Sequence, residues 1–254
     1  MKIVAIIQAR MASTRLPGKV LKKINNKHLL SILISRVKLS KNIDEIVVAT
    51  TNNDTDDSLC KWLEKNHINY FRGSEPDVLE RFWKCSKKIS ADIIVRLTAD
   101  DPLKDPEIID KAIEIFIHNE PLDYVSNTIN PSYPEGLDIE VFSQYALDLA
   151  YKKSTLRSEH EHVTPYIWKN PNIFKLHNFQ MSPDLSGWRW TVDRPEDLEF
   201  IDSLLKLTGY DFSTGYRELI KIINENPSLK KINAGILRNE GYVKSLNEEL
   251  TNEK

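Results

Sequence analysis

The chain has 254 residues, 41% of them hydrophobic and 28% charged, enough apolar material for one large packed domain and too much for a disordered chain. The formal net charge is −2, so no overall field draws it to nucleic acid or acidic lipid, and an anion site has to gather its positive charge locally. Its two cysteines, Cys60 and Cys85, fall in helical patterns and read as thiols of a reducing cytoplasm, while the apolar start is too short for a secretory signal or a membrane span.

Ile3-Val4-Ala5-Ile6-Ile7 is a short unbroken apolar run ending in a polar turn, the pattern of a strand buried on both faces of a parallel sheet. A loop over 8–20 follows, broken at Pro17-Gly18. Leu29, Leu30, Leu33, Ile34 and Val37 then repeat at helical spacing, and 45–49 reads as a second buried strand. Asn53 or Asp54 is suited to cap a helix carrying Leu59, Trp62 and Leu63. A short strand over 68–71, a helix around 77–89, a strong strand over 92–97 and a Pro-started helix over 106–118 continue the alternation. Strands alternating with helices at this spacing predict an α/β fold, a Rossmann-like doubly wound and mostly parallel sheet with ligands at the carboxyl ends of its strands.

The rhythm changes after about residue 120. Short strands over 124–126 and 137–142 surround a Pro/Gly loop, 157–168 looks helical despite Pro165, and 173–179 alternates like an antiparallel strand. A strand over 188–192 and a helix over 195–207 return to the main pattern. The expected organisation is one domain over 1–229, with 125–180 as a small inserted lobe for an acceptor and for dimerisation. Residues 230–254 form a polar helix or tail in this reading.

The loop after the first strand carries Arg10, Arg15 and Lys19 within ten residues. Arginine offers a planar fork for phosphate oxygens, lysine a point charge, and backbone N–H groups complete a cradle. A charged loop can also be merely solvated, but three cations at a strand exit repel one another without an anion. Gly18-Lys19 lacks the earlier glycine and the following Ser or Thr of a P-loop, and no G-x-G-x-x-G is present. Two further turns, after 92–97 and after 188–192, each begin with a carboxylate near a proline, Asp100 and Asp193. Mg²⁺ takes one or two such carboxylates together with substrate phosphates and water. Asp before Pro is also an ordinary helix cap, the alternative for Asp101 and Asp105, and Asp101 is a rival ligand.

At these residues the chain resembles the acylneuraminate cytidylyltransferase family, and within it the spore-coat polysaccharide SpsF-like branch. The resemblance rests on QARMASTRLPGKVL at the first loop, on the Asp100 and Asp193 turns, and on SEHEHVTPY over 158–166. Gln8 replaces the proline common in the sialic-acid and Kdo branches, and Ala99 stands where the family often has glycine. The resemblance implies a nucleotide-diphospho-sugar transferase type of fold, CTP and a sugar-type acceptor as substrates, Mg²⁺ as cofactor and a homodimer. Arg10, Arg15 and Lys19 would hold the triphosphate, within a loop that includes Gln8, Ala9 and Ser13. Asp100 and Asp193 would hold the metal. Thr51 and Asn52, Arg72-Gly73-Ser74, and Arg96 with Thr98 would meet base and ribose, although Thr50 to Asn53 fits a turn and cap equally well.

On the acceptor side stand Asn127, Glu135, Asp138 and Glu140 around the Pro/Gly loop, with Glu159 and His162 further on. His162 or Glu159 is a candidate proton acceptor, and a structural or interface role for that segment fits as well. His160 and His162 face different ways on a helix, which argues against zinc. Two other functions stay open: a GT-A glycosyltransferase using a nucleotide-sugar donor and a D-x-D metal motif, as at Asp54 and Asp56, and a non-catalytic nucleotide-binding module.

Overall fold

A computed structural model describes residues 1–119 and 121–252. Strand β1 (Ile3–Gln8) lies between β4 (Glu45–Thr51) and β6 (Ile93–Thr98), parallel to both. Its side chains alternate between two apolar layers. Ile3, Ala5 and Ile7 pack into one, Val4 and Ile6 into the other. Both faces are covered, which is why the strand reads as a continuous hydrophobic run. Full burial of each large apolar side chain contributes on the order of 1.5–3 kcal/mol.

Between β1 and β4 run a 3₁₀ turn (Lys19–Leu21), a small antiparallel hairpin of β2 (Lys23–Ile24) and β3 (Lys27–His28), and α1 (Leu29–Val37). A 3₁₀ turn at Asp54–Asp56 leads into α2 (Asp57–Lys65), followed by β5 (Tyr70–Gly73) and α3 (Val78–Lys88). Asp77 caps α3 by accepting from the Glu80 N–H at 2.8 Å, and Asp105 caps α4 (Pro106–His118) by accepting from the Glu107 N–H at 3.0 Å. Neither Asn53 nor Asp54 supplies the expected side-chain cap before α2. Asp56 instead turns inward, where it accepts from both Thr50 and Thr51.

Next come β7 (Tyr124–Ser126), β8 (Glu140–Ser143), α5 (Gln144–Lys153), α6 (Arg157–His162), α7 (Pro165–Trp168) and β9 (Leu176–Asn178). Then α8 (Pro195–Leu207), α9 (Tyr216–Glu225) and α10 (Glu240–Asn252) complete the chain. The main sheet has seven strands in the order β5-β4-β1-β6-β8-β7-β9. Only β8 runs against the others, antiparallel to both β6 and β7. The architecture is the mostly parallel, Rossmann-like α/β sheet that the strand–helix alternation predicts.

Three local expectations fail. The 173–179 segment contributes β9, which lies parallel to β7 rather than antiparallel; alternation reports two faces of a strand, not its direction. The 188–192 segment is extended but makes only one isolated bridge, between Glu135 and Arg189, so it is no strand. The 157–168 helix is two, because Val163 adopts φ 72° and Pro165 opens a new helix. Pro165 takes the first position of the second helix, where its missing N–H leaves no helical hydrogen bond unmade. Both cysteines are buried and free.

Candidate active site

The sheet's connections reverse direction on either side of β1. From β1 the chain moves to β4 and β5, then returns to β6 on the other flank. Side chains beyond the carboxyl ends of β1 and β6 therefore border an open crevice, the usual ligand position in such sheets. A cleft of about 1030 Å³ lies there, and Gln8, Ala9, Arg10, Ser13, Arg15, Lys19, Arg96, Thr98, Asp100 and Asp193 all line it.

Its centre is the Lys19 ammonium. Gly18 (φ 65°) turns the loop back, its N–H donating to the Met11 carbonyl at 3.0 Å, and this delivers Lys19 to the cleft. Lys19 Nζ donates to Asp100 Oδ2 at 2.7 Å and to Asp193 Oδ1 at 2.6 Å. Arg15 reaches the second Asp193 oxygen at 2.8 Å, and Arg189 approaches that same oxygen at 3.2 Å. The two carboxylate turns are tied to each other by the Val192 N–H, which donates to the Asp100 carbonyl at 2.8 Å. Burial opposes charge on both partners, but attraction outweighs it. The carboxylates hold Lys19 above its ordinary pKa, and Lys19 with Arg15 pulls Asp193 down to about 2. Asp101, the rival ligand, also borders the cleft, but its carboxylate is engaged by other partners. Burial opposes its charge, yet Lys104 at 2.8 Å holds its carboxyl below the usual range, and it also accepts from Thr98.

Two carboxylates facing one cationic atom suit a divalent ion that takes its remaining ligands from phosphate and water. Among the described residues no group of three or more His, Cys, Asp or Glu is gathered for a metal. His160 faces Asp77 at 2.9 Å while His162 faces Ser245 at 3.0 Å, so the imidazoles do not converge on a zinc ion.

Several expected contacts lie outside the cleft. Thr51 is consumed by Asp56. Arg72 binds the Thr51 and Asn53 carbonyls and Asp57, fastening the β4 and β5 ends together. The Asn52 N–H donates to the Gly73 carbonyl at 2.9 Å, and neither these residues nor Ser74 lines the cavity. Asn127 is buried with its amide on Leu137 and Ile139 backbone, and Glu159 accepts from the Thr155 and Leu156 N–H groups at the start of α6. Both hold backbone, and neither borders the cleft. Asp54 and Asp56 do not border it either, which removes the D-x-D motif from the site.

Glu135, Asp138, Glu140 and His162 do line it. Burial raises the Glu135 and Asp138 pKa values despite Arg189 and Arg238. Burial opposes the charge of Glu140 too, but Arg96 together with the Thr164 and Tyr124 hydroxyls outweighs it and the pKa falls. Burial, with help from Arg96, pushes His162 down to about 4, so it is neutral at physiological pH. Sequence reading passed over Arg189, whose guanidinium joins Glu135, Asp193 and Asp197, and over Asn239, Glu240 and Tyr242, which form one wall. Arg189 stands between Trp188 and Trp190, and alternation along an extended segment puts it on the opposite side from Trp190. No short-range signal marked the others.

The Cytidylyltransferase family profile matches residues 4–223. The chain is 41% identical to an uncharacterized protein of Methanocaldococcus jannaschii, over 95% of this chain and 98% of that one. It is 36% identical to the spore coat polysaccharide biosynthesis protein SpsF of Bacillus subtilis, over 89% and 95% respectively. Among solved structures, a cytidylyltransferase from Leptospira borgpetersenii superposes with TM-score 0.88 at 35% identity, covering 94% of this chain and all of that one. The chain belongs to the cytidylyltransferase family.

Proposed function

We propose that this protein joins the cytidylyl group of CTP to an oxygen of a sugar acid or sugar phosphate and releases pyrophosphate, as a member of the SpsF-like branch serving surface glycan synthesis. The observation that carries this reading is the Lys19 ammonium held between Asp100 and Asp193 with Arg15 beside it, in one cleft. Three kinds of group that a metal-bound triphosphate needs, a lysine, an arginine and paired carboxylates, are within contact of each other. A 3-deoxy-manno-octulosonate cytidylyltransferase of Solibacter usitatus, 27% identical over 81% of this chain and 95% of that one, supports a sugar acid as the acceptor class.

In this mechanism the acceptor oxygen forms a bond to the α-phosphorus while the bond from that phosphorus to the bridging β-phosphate oxygen breaks and pyrophosphate leaves; a hydroxyl acceptor passes its proton to water, and a phosphate oxygen attacks already ionised. Arg10, Arg15 and Lys19 bind and orient the triphosphate, and Arg15 and Lys19 meet the charge that builds on the departing pyrophosphate. Asp100 and Asp193 would hold Mg²⁺, which supplies charge screening of the polyphosphate. Positioning and electrostatics supply the rate in such transfers, so no covalent nucleophile is required. The acceptor enters from the side of Glu135, Asp138, Glu140 and His162. His162, held neutral, serves there as a hydrogen-bonding group rather than as a strong base. The branch resemblance supports a cytoplasmic homodimer joined through 125–180.

The test is a pyrophosphate-release screen of CTP, UTP, GTP and ATP with Mg²⁺ against sugar acids and sugar phosphates. Release from CTP that requires an acceptor is expected. Turnover of a nucleotide-sugar donor, with none of free CTP, would instead establish a glycosyltransferase.

A further inference from the structure

Arg15 and Arg194 are joined by one carboxylate. Glu240 Oε2 accepts from Arg15 Nη1 at 3.0 Å, and Oε1 accepts from Arg194 Nη2 at 2.7 Å. Arg194 follows Asp193 in the chain, and the Arg15 that it shares Glu240 with is also paired with the Asp193 carboxylate. Arg194 meets the cleft only through Glu240, which is itself part of the lining. The Arg194 Nε is buried and finds no hydrogen-bond partner among the described residues, so this side chain has donor capacity that the protein does not use.

Glu240 opens α10, a part of the chain beyond the 4–223 stretch that matches the family profile. The approach to it is fastened at two points: Arg238 pairs with Asp138, and the Asn239 N–H donates to Glu135 at 2.9 Å. After it, the Tyr242 ring packs edge-on against His162. The carboxylate is thereby presented to two guanidiniums at once. A pair of guanidiniums with one oxygen each is also how a phosphate group is gripped, and phosphate offers more oxygens and more charge than carboxylate does.

We infer that Arg15 and Arg194 form a fork for the terminal phosphates of the nucleotide, and that Glu240 occupies this fork in the free chain as an internal anion that polyphosphate displaces. The inference deepens the nucleotide reading above and rests on it for the identity of the ligand. Arg194 becomes a polyphosphate-binding residue, and the first turn of α10 becomes a gate over the leaving-group end of the cleft.

Calorimetric titrations of CTP, CMP and inorganic tripolyphosphate into the wild-type chain, Glu240→Gln and Arg194→Ala test it. Glu240→Gln keeps the size of the side chain and removes the competing charge. It should bind CTP and tripolyphosphate about three- to tenfold more tightly, the range expected for a partly exposed, charge-assisted contact. Arg194→Ala should weaken both by a similar factor. CMP, which lacks the terminal phosphates, should bind all three proteins alike. A purely structural role for the contact would move CMP along with CTP, or weaken binding in both variants, and either result overturns the fork. If the wild-type chain binds tripolyphosphate but neither nucleotide, the cytidylyl reading fails while the fork is still decided by the two variants.

Discussion

Lys19 satisfies two carboxylates with one ammonium, and this arrangement decides what substitution there does. Asp193→Asn keeps the shape of the turn but removes the charge that Lys19, Arg15 and Arg189 all share. We expect pyrophosphate release from CTP to fall by about 100-fold or more, the loss typical of a charged group removed from a reacting centre, with the far-UV circular dichroism unchanged. Lys19→Ala should cost turnover on the same scale. A normal rate in either variant would show that this cluster is structural. The cluster was legible as cations at a strand tip and two aspartates ahead of prolines, although of the three cations only Arg15 and Lys19 join it while Arg10 faces Glu75. Which of Asp100 and Asp101 meets Lys19 was not legible, because Lys104, just ahead of α4, is what pairs with Asp101.

Among the elements, those bounded by capping residues and prolines matched their sequence signals closely, as with α4 and α8. Departures from the expected placement fall where side-chain pairing, rather than position along the strand, decides. Thr51 and Arg72 sit at strand ends that face the ligand edge, yet Asp56, Asp57 and neighbouring carbonyls claim them. Nothing local in the 188–192 segment announces that it threads past the Pro/Gly loop instead of joining the sheet. Gly136 records that passage. It adopts φ 103°, and a Cβ there would stand 2.7 Å from the Trp190 carbonyl carbon and 2.8 Å from the Thr191 nitrogen. Gly136→Ala should therefore destabilise the fold by roughly 2 kcal/mol or more, from the left-handed backbone and the backbone clash together. Because Glu135 and Asp138 flank it, catalytic efficiency should drop even where the protein remains folded. Urea denaturation and steady-state kinetics of the purified variant measure the two effects, and an unchanged midpoint would mean that the two segments can separate freely.

For the whole molecule, the shared ion cluster links stability to pH. The Asp193 carboxyl is depressed to about 2 from an ordinary value of 3.8, so it binds its proton more weakly folded than unfolded. Its contribution is complete above pH ~3.8 and is lost as pH falls through ~2, worth on the order of 2 kcal/mol. The same contact raises Lys19 and is not counted twice. Asp193→Asn should flatten the dependence of unfolding free energy on pH across that acidic window, and a slope equal to that of the wild-type chain would contradict the assignment. The reversed strand β8 has a consequence at this scale as well. Because β8 runs opposite to β6 and β7, the connection from Ser126 to Glu140 is a hairpin loop that opens on the carboxyl edge of the sheet. Its two ends are paired to each other, as Ser126 with Glu140. Insertions or deletions at its exposed tip, 129–130, would be absorbed locally, whereas 132–137 is buried and tied to the 188–190 segment beside Asp193. A lineage built on this frame is free to change what it modifies while keeping the activated nucleotide with which it does so.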